Sequence, residues 1–317
     1  MYYLGIDVSK KTLDCCLLSD GFFYACKHPN TEKGFAALLE QLSEYVGEHQ
    51  VHVCCEATGI YYEAVAEYLN NAGCKVSVEN PRKIKGFGVA VLQRSKTDRQ
   101  DAELIAKYCK AVEPPSWQPQ TPEQKQLREL IRYIVRLKKQ RASEKVKLAE
   151  ASEYIRPHIE DGIACLERKI AVLREELRKF YREYPEMDKT HKRLCTITGI
   201  GEHSATLLQT ALHKNHCFKT AGQFVAYLGL DPKQHQSGTS IKGRTQISKV
   251  GNSELRTALY MPAIVAYNHN VFPRLVSNMV ESGKKPMQII VAIMRKLAVI
   301  AFTLIRDGCD FDKSKHC

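Results

Sequence analysis

The start of the chain contains three short apolar runs, separated from one another by a few residues. The runs cover residues 3–8, 12–18 and 21–26. Their lengths and short connections predict three strands joined by tight turns. A helix is predicted next over residues 31–46, because apolar residues recur there every three or four positions. The chain is therefore expected to open with an antiparallel meander followed by a helix.

The pattern then alternates between strands and helices. Strands are predicted over residues 51–55 and 75–78, the second ended by Asn80 and Pro81, and helices near 61–71 and over about 98–110. Three strands followed by alternating helices and strands give the order of the ribonuclease-H-like fold. A doubly wound nucleotide-binding sheet would alternate from its first strand, so the opening meander argues against it. The N-terminal part is therefore predicted to be a ribonuclease-H-like α/β domain.

The remainder of the chain is predicted to be mainly helical. A proline-rich linker over residues 112–119 precedes two long helical segments, 121–154 and 161–184, with a break at Arg156 and Pro157. Apolar residues at helical spacing predict that the two segments form an antiparallel coiled-coil hairpin. These apolar residues are Leu127, Ile131, Ile134, Leu137, Leu166, Ile170, Leu173 and Leu177. The predicted domains are an N-terminal domain (1–115), the hairpin (120–188) and a mainly α C-terminal domain (190–317).

Charge indicates the class of partner. The 317 residues have a formal net charge of +12, from 47 Lys and Arg against 35 Asp and Glu. Residues 1–120 hold 13 basic and 15 acidic residues (−2), residues 121–193 hold 19 and 13 (+6), and residues 194–317 hold 15 and 7 (+8). Positive charge on the last two-thirds favours a polyanion such as DNA or RNA. A basic surface without a ligand would give the same figures.

Membrane and secreted classes are disfavoured. The sequence has no run of about 18 apolar residues, and its first residues lack the basic and apolar segments of a secretory signal. The 12 cysteines occur singly or as adjacent pairs without a C-x-x-C spacing, which disfavours a disulfide scaffold or a zinc site. We therefore expect a reduced cytoplasmic protein that has no membrane partner and whose cysteines bind no metal.

Four carboxylates are candidates for a metal site. Asp7 lies in the first predicted strand, and Glu56 ends the fourth. Asp98 and Asp101 are three residues apart at the start of a predicted helix, so they share one helix face. Because the first and fourth strands are neighbours in a ribonuclease-H-like sheet, the four acids can converge and bind Mg²⁺ or Mn²⁺. Taken singly, Asp98 can instead cap its helix, and Glu56 can be an ordinary charge at a strand end.

A segment rich in glycine, serine and basic residues lies in the C-terminal part. Its basic residues Lys242, Arg244, Lys249 and Arg256 are candidates for holding phosphate oxygens. At its end, Asn252 or Ser253 is placed to cap a helix that runs through Tyr260. Ser237, which precedes a glycine, is a candidate accessible nucleophile, but no His or Asp at triad spacing accompanies it. These residues alone predict a phosphate-binding loop and do not establish an activated serine.

Several motifs together resemble the IS110 transposase family, which includes the Piv-type DNA invertases and the bridge-RNA-guided recombinases. The resemblance covers essentially the whole chain, with the motifs in the order and spacing of the family. The motifs are Gly-Ile-Asp-Val-Ser-Lys at 5–10, Glu-Ala-Thr-Gly at 56–59, Lys-Thr-Asp-Arg-Gln-Asp-Ala at 96–102, Ser-Gly-Thr-Ser at 237–240 and Leu-Arg-Thr-Ala-Leu-Tyr-Met-Pro-Ala at 255–263.

The resemblance implies a RuvC-like N-terminal domain whose acidic DEDD tetrad falls on Asp7, Glu56, Asp98 and Asp101, with Mg²⁺ (or Mn²⁺) bound there. It also implies a C-terminal transposase domain whose nucleophile is Ser237. Family members resemble tetramers, built as dimers of dimers, in which one subunit's RuvC-like domain and another's serine domain form a composite active site.

By the same resemblance, the serine attacks a DNA phosphodiester, a phosphoserine link holds the cut end, and strand exchange passes through a Holliday junction. A structured non-coding guide RNA would pair with both donor and target DNA. The implied partners are therefore DNA, this RNA and further copies of the chain.

Three other functions match parts of the pattern. A metal-dependent Holliday-junction nuclease would use the carboxylates with water as the nucleophile and would not need Ser237. An inert nucleic-acid-binding scaffold would need only the basic charge. An actin-like or sugar-kinase ATPase shares the Gly-Ile-Asp opening, but it would require a second copy of the fold and a glycine-rich nucleotide clamp, and the sequence has neither.

Overall fold

The computed structural model describes residues 1–317 except 20–21, 48, 58, 94–96, 213–217, 235, 238–240, 243–244 and 317. The side chains at 236–237, 241–242 and 315–316 also lie outside the description. The chain forms two compact units, Met1–Pro119 and Gln120–Cys317. The finer division of the second unit into a hairpin and a C-terminal domain stays a prediction.

The first unit is built on a five-stranded sheet with strand order β3-β2-β1-β4-β5. β1, β2 and β3 form the predicted antiparallel meander, while β4 runs parallel to β1 and β5 runs parallel to β4. This order is the predicted ribonuclease-H-like order. Its elements are β1 (Tyr2–Val8), β2 (Thr12–Ser19), β3 (Phe22–Pro29), α1 (Glu32–Val46), β4 (Val51–Glu56), α2 (Tyr62–Asn71), β5 (Lys75–Glu79), α3 (Pro81–Ala90) and α4 (Asp98–Val112).

The two faces of this sheet have different coverings because side chains alternate along each strand. On one face, Leu4 and Ile6 of β1 belong to a core with apolar residues of α1 and α2. On the other face, Gly5 meets the backbone of α4. A Cβ atom at Gly5 would come within 3.0 Å of the carbonyl oxygen of Ala102 and the amide nitrogen of Ala106. The glycine therefore allows α4 to lie directly on β1.

The helix α3 was not predicted, because Asn80 and Pro81 were interpreted only as the end of a strand. In the structure, Asn80 caps the helix: its side-chain oxygen accepts a hydrogen bond from the Arg82 amide at 2.9 Å. Pro81 occupies the first helical turn, where a missing N–H group leaves no helical hydrogen bond unmade. The pair is thus a helix start rather than a strand terminator.

The second unit begins with two long helices, α5 (Pro122–Glu150) and α6 (Arg156–Glu183), that pack against each other. Leu127 and Ile134 of α5 share a cluster with Leu177 of α6, and Leu173 packs against that cluster, whereas Ile131 belongs to the larger core of the second unit. The break between the two helices is present, but it lies before Arg156 and not at Arg156 and Pro157, where it was predicted. This proline lies in the first turn of α6, where proline is compatible with a helix. The coiled-coil geometry of the pair stays a prediction.

In all, the described part of the second unit contains nine α-helices, one 3₁₀-helix (Lys313–His316) and two short ladders. The ladders pair β6 with β9 and β7 with β8, so the segment predicted as a loop contains four strands of two residues each. Strands this short carry no recognisable alternation. The remaining elements are α7 (Pro185–Cys195), α8 (Glu202–Ala211), α9 (Ala221–Tyr227), β6 (Pro232–Lys233), β7 (Gln236–Ser237), β8 (Ile241–Lys242), β9 (Gln246–Ile247), α10 (Ser253–Ala258), α11 (Tyr260–Asn268), α12 (Pro273–Glu281) and α13 (Pro286–Asp307).

The helix α13 forms the centre of the second unit's core. It is long and apolar enough to span a membrane by length and composition, a feature that the sequence-based expectation did not include. Its buried residues, among them Ile293, Leu297 and Ala301, pack in one cluster with residues of α8, α9 and α11. The core packing accounts for its apolar character without a membrane.

Candidate active site

The predicted acids Asp7 and Glu56 lie at the same level of the sheet and on the same face. In the β1–β4 pairing, Ile6 is opposite Cys55 in parallel register, so the next residues along both strands are Asp7 and Glu56. Residues side by side on neighbouring strands point to the same face of a sheet. The strand register therefore brings together one pair of the predicted tetrad.

The helix α4 brings the other two predicted acids to this level. Tyr3 of β1 donates a hydrogen bond to Glu113, the C-terminal cap of α4, at 3.2 Å, and Gly5 lies against Ala102. The two elements thus run in opposite directions. Along β1, Asp7 lies two residues beyond Gly5. It is therefore at the level of the first turn of α4. That turn carries Asp98 and Asp101.

The cap of α4 decides between two roles for Asp98. The hydroxyl of Thr97 accepts the hydrogen bond from the Gln100 amide at 3.3 Å, so Thr97 is the N-cap. The alternative in which Asp98 caps the helix is therefore wrong. Asp98 is exposed in the first turn, where a carboxylate is favoured by the helix dipole.

Two charged residues that the sequence interpretation missed extend this level of the sheet toward β3. Asp14 is directly opposite Asp7, and Lys27 is directly opposite Asp14. Lys27 Nζ donates to both Asp14 carboxylate oxygens at 2.9 and 3.1 Å. The hydrogen bond to Asp14 raises the pKa of Lys27, and the charges of Asp98 and Asp7 raise it further. The lysine is thus a permanent positive charge beside the predicted acids.

The opposite end of this level holds a second ion pair. Glu79 of β5 is directly opposite Glu56, is buried, and accepts a hydrogen bond from the Asn80 amide at 3.3 Å. Lys83 of α3 pairs with Glu79 at 2.8 Å. Together, Lys27, Asp14, Asp7, Glu56, Glu79 and Lys83 form what we call the charged row. Lysines neutralise its outer acids, while Asp7 and Glu56 occupy its middle.

A cleft opens beside the middle of the charged row. It has a volume of about 450 Å³ and is lined by Glu56 and Asp101 together with residues of α3 that include Arg82, Lys85 and Val89. The cleft thus shows that acids from β4 and α4 face one common space. Asp7, Glu56 and Asp101 are half-buried, which limits their hydration without removing them from solvent.

The predicted donors are carboxylates from three elements, and carboxylate oxygens are the ligands that hard divalent cations prefer. No three His, Cys, Asp or Glu side chains in the described part of the chain lie close enough together to hold a metal ion. The type of donor thus fits a divalent cation, while the side-chain positions do not form a ligand cage.

The predicted serine lies on a short ladder. The backbone of Ser237 in β7 pairs with Ile241 in β8, and Gln236 pairs with Lys242. The side chains of Ser237 and Lys242 lie outside the described atoms, and Arg244 lies outside the described residues. Their roles as nucleophile and phosphate contacts stay predictions.

The other two predicted phosphate contacts differ from each other in the structure. Lys249 is exposed and has a left-handed backbone conformation with a φ of 52°. Arg256 is half-buried, and its Nη1 donates to the carbonyl oxygen of Leu228 at 2.8 Å. A Cβ atom at Gly229 would lie only 2.9 Å from that nitrogen. Part of the Arg256 guanidinium therefore supports the local backbone.

The start of α10 follows the predicted capping pattern. The side-chain oxygen of Asn252 accepts hydrogen bonds from the amides of Glu254 and Leu255 at 3.0 and 3.1 Å. The helix ends at Ala258, however, and α11 begins at Tyr260 as a separate element. The segment that ends at Asn252 thus leads into two short consecutive helices.

Residues 4–157 match the IS110 DEDD family, described as a transposase, and residues 191–277 match the family described as "Transposase IS116/IS110/IS902 family". The chain is 33% identical to the pilin gene-inverting protein of Moraxella bovis over 317 residues, covering 99% of this chain and 98% of that protein. It is 24% identical over 350 residues to the transposase for insertion sequence element IS1328 of Yersinia enterocolitica, covering 98% of each.

Among solved structures, T. thermophilus RuvC in complex with a Holliday junction substrate covers 37% of this chain and 98% of its own, with 16% identity and a TM-score of 0.28. That score is too low for a comparison of sites. The two family matches and the full-length relatives are decisive by themselves. The chain belongs to the IS110 family of transposases and is a DNA transposase or recombinase.

Proposed function

We propose that the protein cuts and rejoins DNA strands in a reaction that requires Mg²⁺ or Mn²⁺ held by Asp7, Glu56, Asp98 and Asp101. The observation that supports this proposal is that Asp7 and Glu56 are neighbours on β1 and β4, while α4, whose first turn carries Asp98 and Asp101, packs directly on β1. Neighbouring carboxylates repel one another unless a cation balances them. Such a cation, when bound, stabilises charge on the phosphate oxygens during cleavage.

The protein's own residues have a defined task in this reaction. Gly5 holds α4 against the sheet, so that Asp98 and Asp101 stay at the level of Asp7. The lysines at the two ends of the charged row offset the outer acids. Asp7 and Glu56 lie between those ion pairs, and Glu56 also lines the cleft.

For the covalent step, we propose Ser237 as the nucleophile, as the family resemblance implies. Its Oγ would form a bond to a DNA phosphorus, the phosphodiester bond to one DNA oxygen would break, and the serine proton would end on the departing DNA hydroxyl. A serine phosphodiester keeps the energy of the broken bond, so rejoining by a DNA hydroxyl needs no ATP. This step accounts for recombination without a nucleotide-binding loop.

The assembly and the guide are also proposals. The family resemblance supports a tetramer in which the acids of one copy and Ser237 of another serve the same DNA strand. It also supports a structured RNA that pairs with donor and target DNA. The DNA-inverting and transposing relatives named above agree with DNA as the substrate.

Cleavage of a labelled four-way DNA junction, with the element's RNA supplied, tests the metal proposal. Asp7→Asn and Glu56→Gln should lose cleavage in Mg²⁺, because each substitution removes a charged oxygen ligand. Asp161→Asn is the matched control, since this acid is exposed on α6. Full activity of Asp7→Asn would contradict the proposal.

The same assay separates the nuclease alternative from recombination. A nuclease that uses water leaves free 5′-phosphate and 3′-hydroxyl ends and no protein on the DNA. Removal of the RNA by ribonuclease before the reaction tests the guide. Undiminished, equally specific cleavage without RNA would contradict RNA guidance while leaving the metal proposal intact.

A further inference from the structure

The cleft beside the charged row has one acidic and one basic wall. Glu56 and Asp101 contribute carboxylates, while α3 contributes Arg82 and Lys85. Residues three apart on a helix lie on the same face, and Val89, four residues after Lys85, continues that face into the cleft. The basic wall is thus one face of α3.

The two cations of this face form no ion pair with the described residues of the first unit. Arg82 and Lys85 are exposed, and in the described part of the chain neither lies within ion-pair distance of an acidic group. Lys83, which lies between them in sequence, is instead paired with Glu79 at 2.8 Å. The helix therefore divides its basic residues between a structural ion pair and two charges that face the cleft.

The net charge of the first unit does not account for this pair of cations. Residues 1–120 have a net charge of −2, so two cations on one helix face do not follow from a general excess of basic residues. An anion in the cleft would have these cations on one side. On its other side it would have the acids, together with the metal ion proposed to bind them. A DNA phosphodiester that is cut at those acids has this requirement, because its charge needs cations on both sides.

The C-terminal end of α3 presents apolar side chains to solvent. Val89 is 69% exposed and Leu92 is 77% exposed. Leu92 also has a φ of 55° at the position after the helix where glycine is usual. A leucine in this conformation lowers the stability of the free protein, and exposure gives it no compensating contact. Its apolar surface is suited to an unstacked base or a sugar ring.

We propose that this face of α3 binds the DNA strand that enters the cleft, with Arg82 and Lys85 on its phosphates and Val89 and Leu92 against its sugars or bases. The inference rests on the proposed function, because it assumes that the acids act on DNA. It adds a DNA contact to the unit whose net charge is negative. DNA is favoured over RNA or an acidic peptide because the cleft shares its lining with Glu56 and Asp101, where the strand is cut.

Binding to a fluorescein-labelled four-way DNA junction tests the proposal with the full chain. Anisotropy is measured in Ca²⁺ at 50–200 mM NaCl. Arg82→Gln and Lys85→Gln should each weaken binding about tenfold and reduce the slope of log affinity against log salt by about one. Lys33→Gln, on exposed α1 surface, is the matched control and should leave the slope unchanged.

Leu92→Gly provides a test that a folding defect cannot imitate. Glycine adopts the left-handed conformation freely, so this variant should resist urea at least as well as the unchanged protein. It should nevertheless bind the junction more weakly, with an unchanged salt slope. Tight binding by this variant would remove the apolar contact from the proposal.

Several outcomes would overturn the inference. Junction binding by Arg82→Gln and Lys85→Gln at the affinity and salt slope of the unchanged chain would do so. The inference would also be overturned if these variants lost only RNA binding, or if the unchanged chain did not bind the junction. If instead these variants weaken binding while Asp7→Asn cleaves normally, the contact stands and the metal proposal fails. The two failures are therefore distinguishable.

Discussion

Replacing Gly5 with alanine should push α4 away from the sheet and so weaken both the fold and the site. The added Cβ atom would come within 3.0 Å of two backbone atoms of α4, the Ala102 oxygen and the Ala106 nitrogen. Ordinary contacts begin near 3.4 Å, so the helix must move by about 1 Å because backbone atoms cannot rotate aside.

The expected cost follows from this overpacking. Inserting a methyl group into a packed interior costs about 1–3 kcal/mol, and a site with no flexible neighbour belongs at the upper end. With a urea m-value of about 1–3 kcal/mol/M, a loss of about 3 kcal/mol lowers the unfolding midpoint by about 1–3 M. Strand cleavage should fall as well, because Asp98 and Asp101 move with α4.

Tryptophan fluorescence measures the unfolding of the first unit selectively. Trp117 is the only tryptophan in the sequence, packs against the core of the first unit, and donates its backbone N–H to Val76 at 2.7 Å. Gly86→Ala is the matched control: this glycine lies within α3 with nothing within 4 Å of an added Cβ. It should stabilise the unit by about 0.5–1 kcal/mol. A Gly5→Ala midpoint at or above that of the unchanged protein would refute the packing argument.

Three further outcomes are expected. A hydrogen bond from Cys15 lowers the pKa of Cys26 to about 6, so iodoacetamide should modify this thiol with a rate that rises through pH 6 and levels off above pH 7, as peptide mass spectrometry would measure. Tyr181→Phe removes hydrogen bonds of 3.0 and 3.1 Å from a buried hydroxyl and should destabilise the second unit by about 1–3 kcal/mol. Circular dichroism should detect this loss while the Trp117 signal is unchanged. Lys27→Gln removes a positive charge beside the acids and should tighten Mn²⁺ binding in calorimetry; weaker binding would contradict the role assigned to Lys27.

Local patterns predicted the elements that have a clear period. The three-strand meander, α1, β4, β5 and α4 lie within a few residues of their expected positions. The acids on them could be identified because position within an element fixes the face of a side chain. Asp98 and Asp101 illustrate this: their spacing and the helix start placed both in the first turn of α4.

Two features were missed because proline was interpreted as an ending. Pro81 begins α3, and Pro157 lies in the first turn of α6. A proline after an asparagine is a recognisable helix start, since the asparagine supplies the cap and the proline needs no hydrogen-bond partner. Recognition of this signal at Asn80 would have revealed α3 and with it the basic wall of the cleft.

Other features could not be predicted from local sequence. The roles of Asp14 and Lys27 depend on the register between β1, β2 and β3. Register is a long-range property, because a shift of one residue reverses the face of every side chain on a strand. The closeness of α4 to Gly5 has the same origin, since it joins residues almost a hundred positions apart.

The most direct test of the central claim is the capture of the covalent link between Ser237 and DNA. The protein is incubated with a DNA junction, the element's RNA and Mg²⁺, denatured, digested with nuclease and protease, and analysed by mass spectrometry. A nucleotide attached to the peptide that contains Ser237 is expected, with none in Ser237→Ala and an undiminished yield in the control Ser253→Ala. Cut strands with no attached protein, or an adduct that persists in Ser237→Ala, would contradict the account.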